Sequence, residues 1–309
     1  MLPSFPTHYD SIDLPELRQR NIRLTIKRLD QKHPEIQGNK WYKLKYNIEE
    51  AKRQRHHQLL TFGGAYSNHI LATAAAAKQA GMTSIGIIRG EDTLPLNPTL
   101  ADAKSLGMKL HYLSRTDYRT KTSPEIINNL REVYGDFYLI PEGGTNALAI
   151  EGSKEILADS DSNYDYICTS IGTGGTMAGL LASARSSQQV WGFSSLKGDF
   201  MDKELQSLLE KYAIDPACGY QVIKNYHFGG YGKFKLELIE FIHSFKRTTG
   251  IPLDPIYTGK MLFGLLDMIN KDWLPEGSQI LALHTGGLQG IRGFNLRNGT
   301  NLEEGREKQ

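Results

Sequence analysis

Groups that could do chemistry are concentrated in this sequence at glycine-bearing junctions between apolar runs. At Gly172-Thr-Gly-Gly-Thr176 the run YDYICTSI delivers the chain into a loop, and MAGLLASAR leaves it as a helix. A helix start offers unpaired N–H groups and a positive dipole end, and glycine lets backbone approach an anion closely. Such a loop reads as a cradle for one phosphate group. It is not a dinucleotide fingerprint, because Met177 stands where the third glycine of GxGxxG belongs, and no Gly-Lys-Ser/Thr follows to make a nucleotide P-loop. Gly63-Gly-Ala-Tyr-Ser-Asn-His69 lies at a second strand-to-helix junction. There Ser67 and Asn68 either cap the helix or help its N-terminus hold a carboxylate. Gly38-Asn-Lys-Trp-Tyr-Lys-Leu-Lys45 brings Lys40, Lys43 and Lys45 together. One of them, desolvated and with its pKa lowered, could form a Schiff base, and the spacing does not choose among the three. Tyr231, in Asn225-Tyr-His-Phe-Gly-Gly-Tyr-Gly232, and Tyr257, in Asp254-Pro-Ile-Tyr-Thr-Gly-Lys260, read equally as packing or as site residues. No HExxH, paired His/Cys spacing or acidic cluster suggests a metal.

These loops need elements to position them. From residue 58 onward apolar runs alternate with helical patterns: LLTF (59–62), a helix closing at Gly81, TSIGIIRG (83–90), ADAKSLG, MKLHYL (108–113), PEIINNLREVYG (124–135) and DFYLI (136–140). A second block follows, with a helix over 151–160, a strand over 164–171, the strand VWGFSS, helices around 233–247 and 261–269, and a strand over 279–287 that ends His284-Thr-Gly-Gly. The repeat predicts an α/β protein with parallel sheets covered on both faces and ligands at the carboxyl ends of the strands. The blocks meet near Pro141 to Thr145. Thirty-one glycines among 309 residues follow no collagen-like period and suit backbone-built ligand loops. With 36 Lys+Arg against 34 Asp+Glu, a formal net charge of +2, the chain lacks the basic excess of a nucleic-acid binder. Cys168 and Cys218 form no disulfide framework. The start MLPSFPTHYDSID has no signal-peptide pattern, and no apolar run approaches the ~20 residues needed to span a bilayer. A cytoplasmic protein without membrane contact is the expectation.

Taken in order, GNK, GGxxSN, PxGGTNAL, GTGGT, GGYG, DPIYTGK and HTGG resemble one family, the pyridoxal-phosphate enzymes that comprise D-cysteine desulfhydrases and 1-aminocyclopropane-1-carboxylate deaminases. The correspondence runs from about residue 20 to about residue 290; each motif is weak alone, and seven in one order are specific. The resemblance implies a tryptophan-synthase-β-like fold of two open three-layer α/β/α domains. A large discontinuous domain would comprise residues 1–45 and 149–309, and a small one residues 46–148. It further implies a homodimer, pyridoxal 5'-phosphate as cofactor and a small amino acid as substrate. Lys40 would hold the cofactor and, once displaced by substrate, act as general base. Gly172, Thr173, Gly174, Gly175 and Thr176 would bind its phosphate, and Asn68 its 3-oxygen. Ser67 would meet the substrate carboxylate or move its protons, Tyr231 and Tyr257 would face the substrate, and Thr258 would lie at the pyridine nitrogen. A neutral hydroxyl there makes a weaker electron sink than the Glu of the deaminase branch. Together with His69 after Ser-Asn, this favours elimination from D-cysteine to pyruvate, ammonia and sulfide over deamination. A non-catalytic small-molecule-binding α/β protein is the alternative from another class. Gln37, Tyr42, Lys45 and Ala65-Tyr66 depart from the family pattern and are expected to reshape the substrate side.

Overall fold

Two sheets organise the chain in the computed structural model, which describes residues 2–303. The strands are β1 (His8–Ile12), β2 (Arg23–Arg28), β3 (Gln58–Gly64), β4 (Thr83–Arg89), β5 (Met108–Leu113), β6 (Tyr138–Ile140), β7 (Tyr166–Ile171), β8 (Gln189–Ser194), β9 (Gly219–Ile223) and β10 (Gln279–Leu283). The helices are α1 (Pro15–Gln19), α2 (Asn39–Arg53), α3 (Asn68–Gln79), α4 (Pro98–Ser105), α5 (Pro124–Tyr134), α6 (Ala147–Lys154), α7 (Gly175–Leu181), α8 (Phe200–Lys211), α9 (Leu236–Thr249), α10 (Thr258–Asn270) and α11 (Ile291–Asn298). One sheet has the order β1-β2-β10-β7-β8-β9, the other β5-β4-β3-β6. Among the described residues every pairing is parallel except β1 with β2.

Parallel strands buried on both faces read as continuous apolar runs, and β4 and β7 are such runs. The alanines of α3 let it sit close: His69 to Ala77 are all buried, and Ala72, Ala75 and Ala76 share a core with Leu44 and Ile48 of α2 and with Ile167 and Leu281 of the larger sheet. That shared core joins the two sheets through α2. On the opposite face of the larger sheet, Ile26, Ile280 and Phe193 pack against Leu238 and Ile242 of α9 and Leu265 of α10.

Two elements differ most from the sequence expectation in their bounds. The helix expected over 151–160 starts earlier, at Ala147, because Asn146 caps it by accepting from the Ala149 N–H at 2.9 Å. It stops at Lys154, since Asp161 is drawn into an ion pair with Lys27 and accepts from the Ala158 N–H, which holds residues 159–163 in a 3₁₀ turn. The last strand ends at Leu283 instead of residue 287, because Gly286 and Gly287 adopt φ of +84° and +98°. No helix among the described residues is long and apolar enough to cross a membrane.

Candidate active site

A cavity of about 390 Å³ opens where both sheets present their carboxyl ends. Arg89 at the end of β4, Gly64 at the end of β3, Glu142 after β6, Gly172 after β7 and Thr285 after β10 all line it. This is where ligands bind in open parallel sheets.

Gly172 to Thr176 form one wall. Gly174, at φ +77°, turns the chain into α7, so Gly175 and Thr176 are its first residues, with N–H groups that have no intrahelical acceptor. A Cβ on Gly175 would lie 2.7 Å from Thr145 Oγ1 and 3.2 Å from Lys43 Nζ. Thr145 and Thr173 hydroxyls are 2.8 Å apart, and Asn39 Nδ2 donates to Thr176 Oγ1 at 2.8 Å. Backbone donors, hydroxyls and one ammonium around a glycine floor fit a phosphate monoester.

The three lysines of the first motif separate cleanly. Lys40 lies in the cavity wall, and among the described residues its ammonium donates only to Asn39 Oδ1, at 3.0 Å. Burial lowers its pKa to about 8, with Asp254 pulling the other way. Lys43 is tied down by the Gly143 carbonyl at 2.6 Å and Thr145 Oγ1 at 3.0 Å, and burial beside Lys40 holds its pKa well below the usual range. Lys45 pairs with Glu155 and does not line the cavity.

Ser67 caps α3 by accepting from the Ile70 N–H at 3.4 Å, and Ser67 and Asn68 both line the cavity beside the helix N-terminus. His69 lies beneath. Its Nε2 contacts Thr61 Oγ1 at 2.8 Å while Thr61 donates to the Ile140 carbonyl at 2.9 Å, so the ring nitrogen is the donor to Thr61. Burial keeps that ring's pKa well below the usual value, so it is neutral. Opposite, Tyr231 and Tyr257 stand edge to face with ring centroids 6.1 Å apart. Burial raises both phenol pKa values. Lys260 donates to the His227 and Gly230 carbonyls at 2.8 Å each, which fastens the loop of Tyr231 to the helix that follows Tyr257.

Thr258 departs from its expected place. Its hydroxyl donates to Asp254 Oδ1 at 2.7 Å, its N–H donates to the same oxygen at 2.8 Å, and it does not line the cavity. The cause is the turn that leads into α10, where the N–H groups of Ile256, Tyr257 and Thr258 all donate to the Asp254 carboxylate. Thr258→Val is expected to lower the unfolding free energy by about 1–3 kcal/mol, because it strips a buried carboxylate of a partner. Urea unfolding measures this, and an unchanged midpoint would refute it. Thr285, given no role by sequence reasoning, does line the cavity, with its hydroxyl 3.1 Å from Ser170 Oγ. Its place at the carboxyl end of a central strand was the signal available.

Residues 6–286 match the family described as pyridoxal-phosphate dependent enzyme. A putative 1-aminocyclopropane-1-carboxylate deaminase of Pyrococcus abyssi is 31% identical over 294 residues, covering 90% of this chain and 88% of that protein. A bifunctional mitochondrial D-cysteine desulfhydrase/1-aminocyclopropane-1-carboxylate deaminase of Arabidopsis thaliana is 32% identical over 318 residues, covering 94% and 78%. The crystal structure of an ACC deaminase homologue, 29% identical, superposes with a TM-score of 0.80 over 95% of this chain and 93% of that one. A single-phosphate cradle beside a desolvated lysine is what such enzymes require. The chain therefore belongs to the pyridoxal-phosphate dependent enzymes, with pyridoxal phosphate as its cofactor.

Proposed function

We propose that this enzyme is a D-cysteine desulfhydrase-like lyase that expels the β-substituent of a small amino acid, giving pyruvate, ammonia and, from D-cysteine, sulfide. The observation that carries the proposal is the placement of Lys40 in one cavity with the anion cradle of α7 and the Ser67-capped N-terminus of α3. Bound pyridoxal phosphate supplies an electron acceptor that makes the substrate Cα proton acidic. Gly172 to Thr176, with Lys43, would hold its phosphate, and Asn68 would hold its 3-oxygen. Lys40 would anchor it and afterwards take the Cα proton, a role suited to an amine with a pKa near 8. Ser67 and the open N–H groups of α3 would hold the substrate carboxylate. Tyr231 and Tyr257 would wall the substrate, and phenols whose pKa values desolvation raises stay protonated there as donors, although Tyr231 keeps part of its ring at the surface. The neutral hydroxyl facing the ring nitrogen is assigned to Thr285 instead of Thr258, since Thr285 is the one that lines the cavity. In this scheme a large unit of residues 1–45 and 149–309 carries the cofactor, and a small unit of residues 46–148 brings Ser67 and Asn68. A cytoplasmic homodimer belongs to the same proposal on the strength of the sequence resemblance.

The purified protein is expected to absorb visible light and to release sulfide and pyruvate from D-cysteine. 1-Aminocyclopropane-1-carboxylate is the second substrate to offer. Formation of 2-oxobutyrate without any sulfide would replace the desulfhydrase by the deaminase, and absence of any product would reject both.

A further inference from the structure

Three cationic side chains line the cavity among the described residues: Lys40, Lys43 and Arg89. Lys43 is held by the Gly143 carbonyl and Thr145 beside the cradle, and Lys40 belongs to the cofactor. Arg89 has no assignment. It ends β4 in register with Gly64 of β3, which places it beside the turn that leads to Ser67 and the start of α3. Its side chain is exposed, and no carboxylate of the described residues comes within ion-pair distance of it. Glu142, the acid in the same cavity wall, is paired with Lys121 at 3.1 Å. The guanidinium stands 6.0 Å from the centre of the Tyr118 ring. An aromatic ring behind a guanidinium supports the plane and leaves N–H groups free to meet a planar anion. Tyr231 lines the same cavity; burial raises its phenol pKa, and the Arg89 charge opposes that rise while Glu142 adds to it.

An amino acid's own carboxylate is provided for at the N-terminus of α3. A second cation, without a counter-ion and facing the same space, complements a second anion on the substrate. Neither D-cysteine nor aminocyclopropane carboxylate carries one. We propose that Arg89 is a specificity-determining residue that selects amino acids whose β-substituent ends in a carboxylate, of the type of S-carboxymethylcysteine. This inference rests on the lyase reading above. In the net reaction the Cα–H proton passes to the base and the Cβ–S bond breaks. The sulfur leaves with the electron pair as thioglycolate. The remaining enamine takes up one water to give pyruvate and ammonium, with no oxidant or reductant.

The test gives the holoenzyme S-carboxymethylcysteine and its uncharged isostere S-carbamoylmethylcysteine, each as both enantiomers, with D-cysteine alongside. Pyruvate formation is followed. The acid is expected to exceed the amide in kcat/KM by roughly tenfold to a hundredfold, mostly through KM, as a charge-assisted hydrogen bond would give. Arg89→Gln should bring that ratio towards one, and Arg89→Lys should retain part of it. Equal values for acid and amide in the native enzyme, with D-cysteine turned over, overturn this inference alone. Arg89→Gln lowering both substrates alike also overturns it, and would place Arg89 at the α-carboxylate that the two share. A colourless protein that turns over no amino acid overturns this inference and the lyase reading together.

Discussion

Lys40→Ala is expected to remove turnover almost completely, by at least about 10²–10⁴-fold, the contribution typical of a positioned general base. Borohydride should then fix no cofactor to the chain, while pyridoxal phosphate still binds noncovalently at Gly172 to Thr176. Among the described residues no neighbouring amine is placed to take over. Lys43 is held by the Gly143 carbonyl and Thr145, and Lys45 pairs with Glu155 outside the cavity. The lowered pKa of Lys40 adds a second observable. Only the neutral amine attacks an aldehyde, and burial brings that form within reach at about pH 8 instead of the 10.5 of an ordinary lysine. Covalent uptake of pyridoxal phosphate by the cofactor-free protein should therefore speed up as pH rises towards about 8 and level off above it. A rate still climbing steeply at pH 10 would show that Lys40 is not desolvated, and full activity in Lys40→Ala would move the anchor to another lysine.

The parts of the site that were legible in the sequence are those built from backbone. A glycine-rich turn between an apolar strand and a helix has few purposes, so the Gly172 to Thr176 cradle could be read from composition and order alone. Side-chain direction could not. Thr258 and Thr285 both sit in motif segments, yet Asp254 draws the first hydroxyl inward and the second is left facing the cavity. That choice depends on how the α10 N-terminus folds around one carboxylate. The three lysines stayed open for the same reason, because what separates them is a carbonyl 100 residues away for Lys43 and Glu155 for Lys45. In the fold, β2 is not legible in the sequence because RLTIKR carries charges at positions that are buried. Lys27 is paired with Asp161, and Arg28 with Asp30, so a buried strand reads as a polar segment until its partners are known. Arg89 ends a strand that the sequence makes plain. Nothing in its spacing distinguishes a solvated arginine from one that faces a cavity.

Gly38→Ala is expected to be the most damaging of the conservative changes around the site. Gly38 adopts φ +65° and ψ −139° as the chain turns into α2, a conformation that L side chains rarely take. An added Cβ would lie 1.9 Å from the Thr285 carbonyl oxygen and 2.7 Å from the Gly286 nitrogen. Both obstacles are main chain, so no rotamer change relieves them. The Gly38 N–H also donates to the Leu29 carbonyl at 3.1 Å, and the Asn39 N–H to the Thr285 carbonyl at 3.3 Å, so the turn cannot swing away without losing both bonds. Backbone strain of about 1–3 kcal/mol and overpacking of about 1–3 kcal/mol act together here. A loss of about 2–6 kcal/mol in unfolding free energy follows, measured by urea denaturation of the cofactor-free protein. Gly64→Ala is the control, since a Cβ there meets nothing within 4 Å and its backbone is not in the left-handed region. It should change stability by no more than about 0.5 kcal/mol. If the two variants unfold alike, the close contact between residues 38–39 and 285–286 is not what fixes the turn that carries Lys40. If Gly38→Ala alone is weakened and also binds pyridoxal phosphate less tightly, the same backbone contact that stabilises the fold is the one that positions the anchoring lysine.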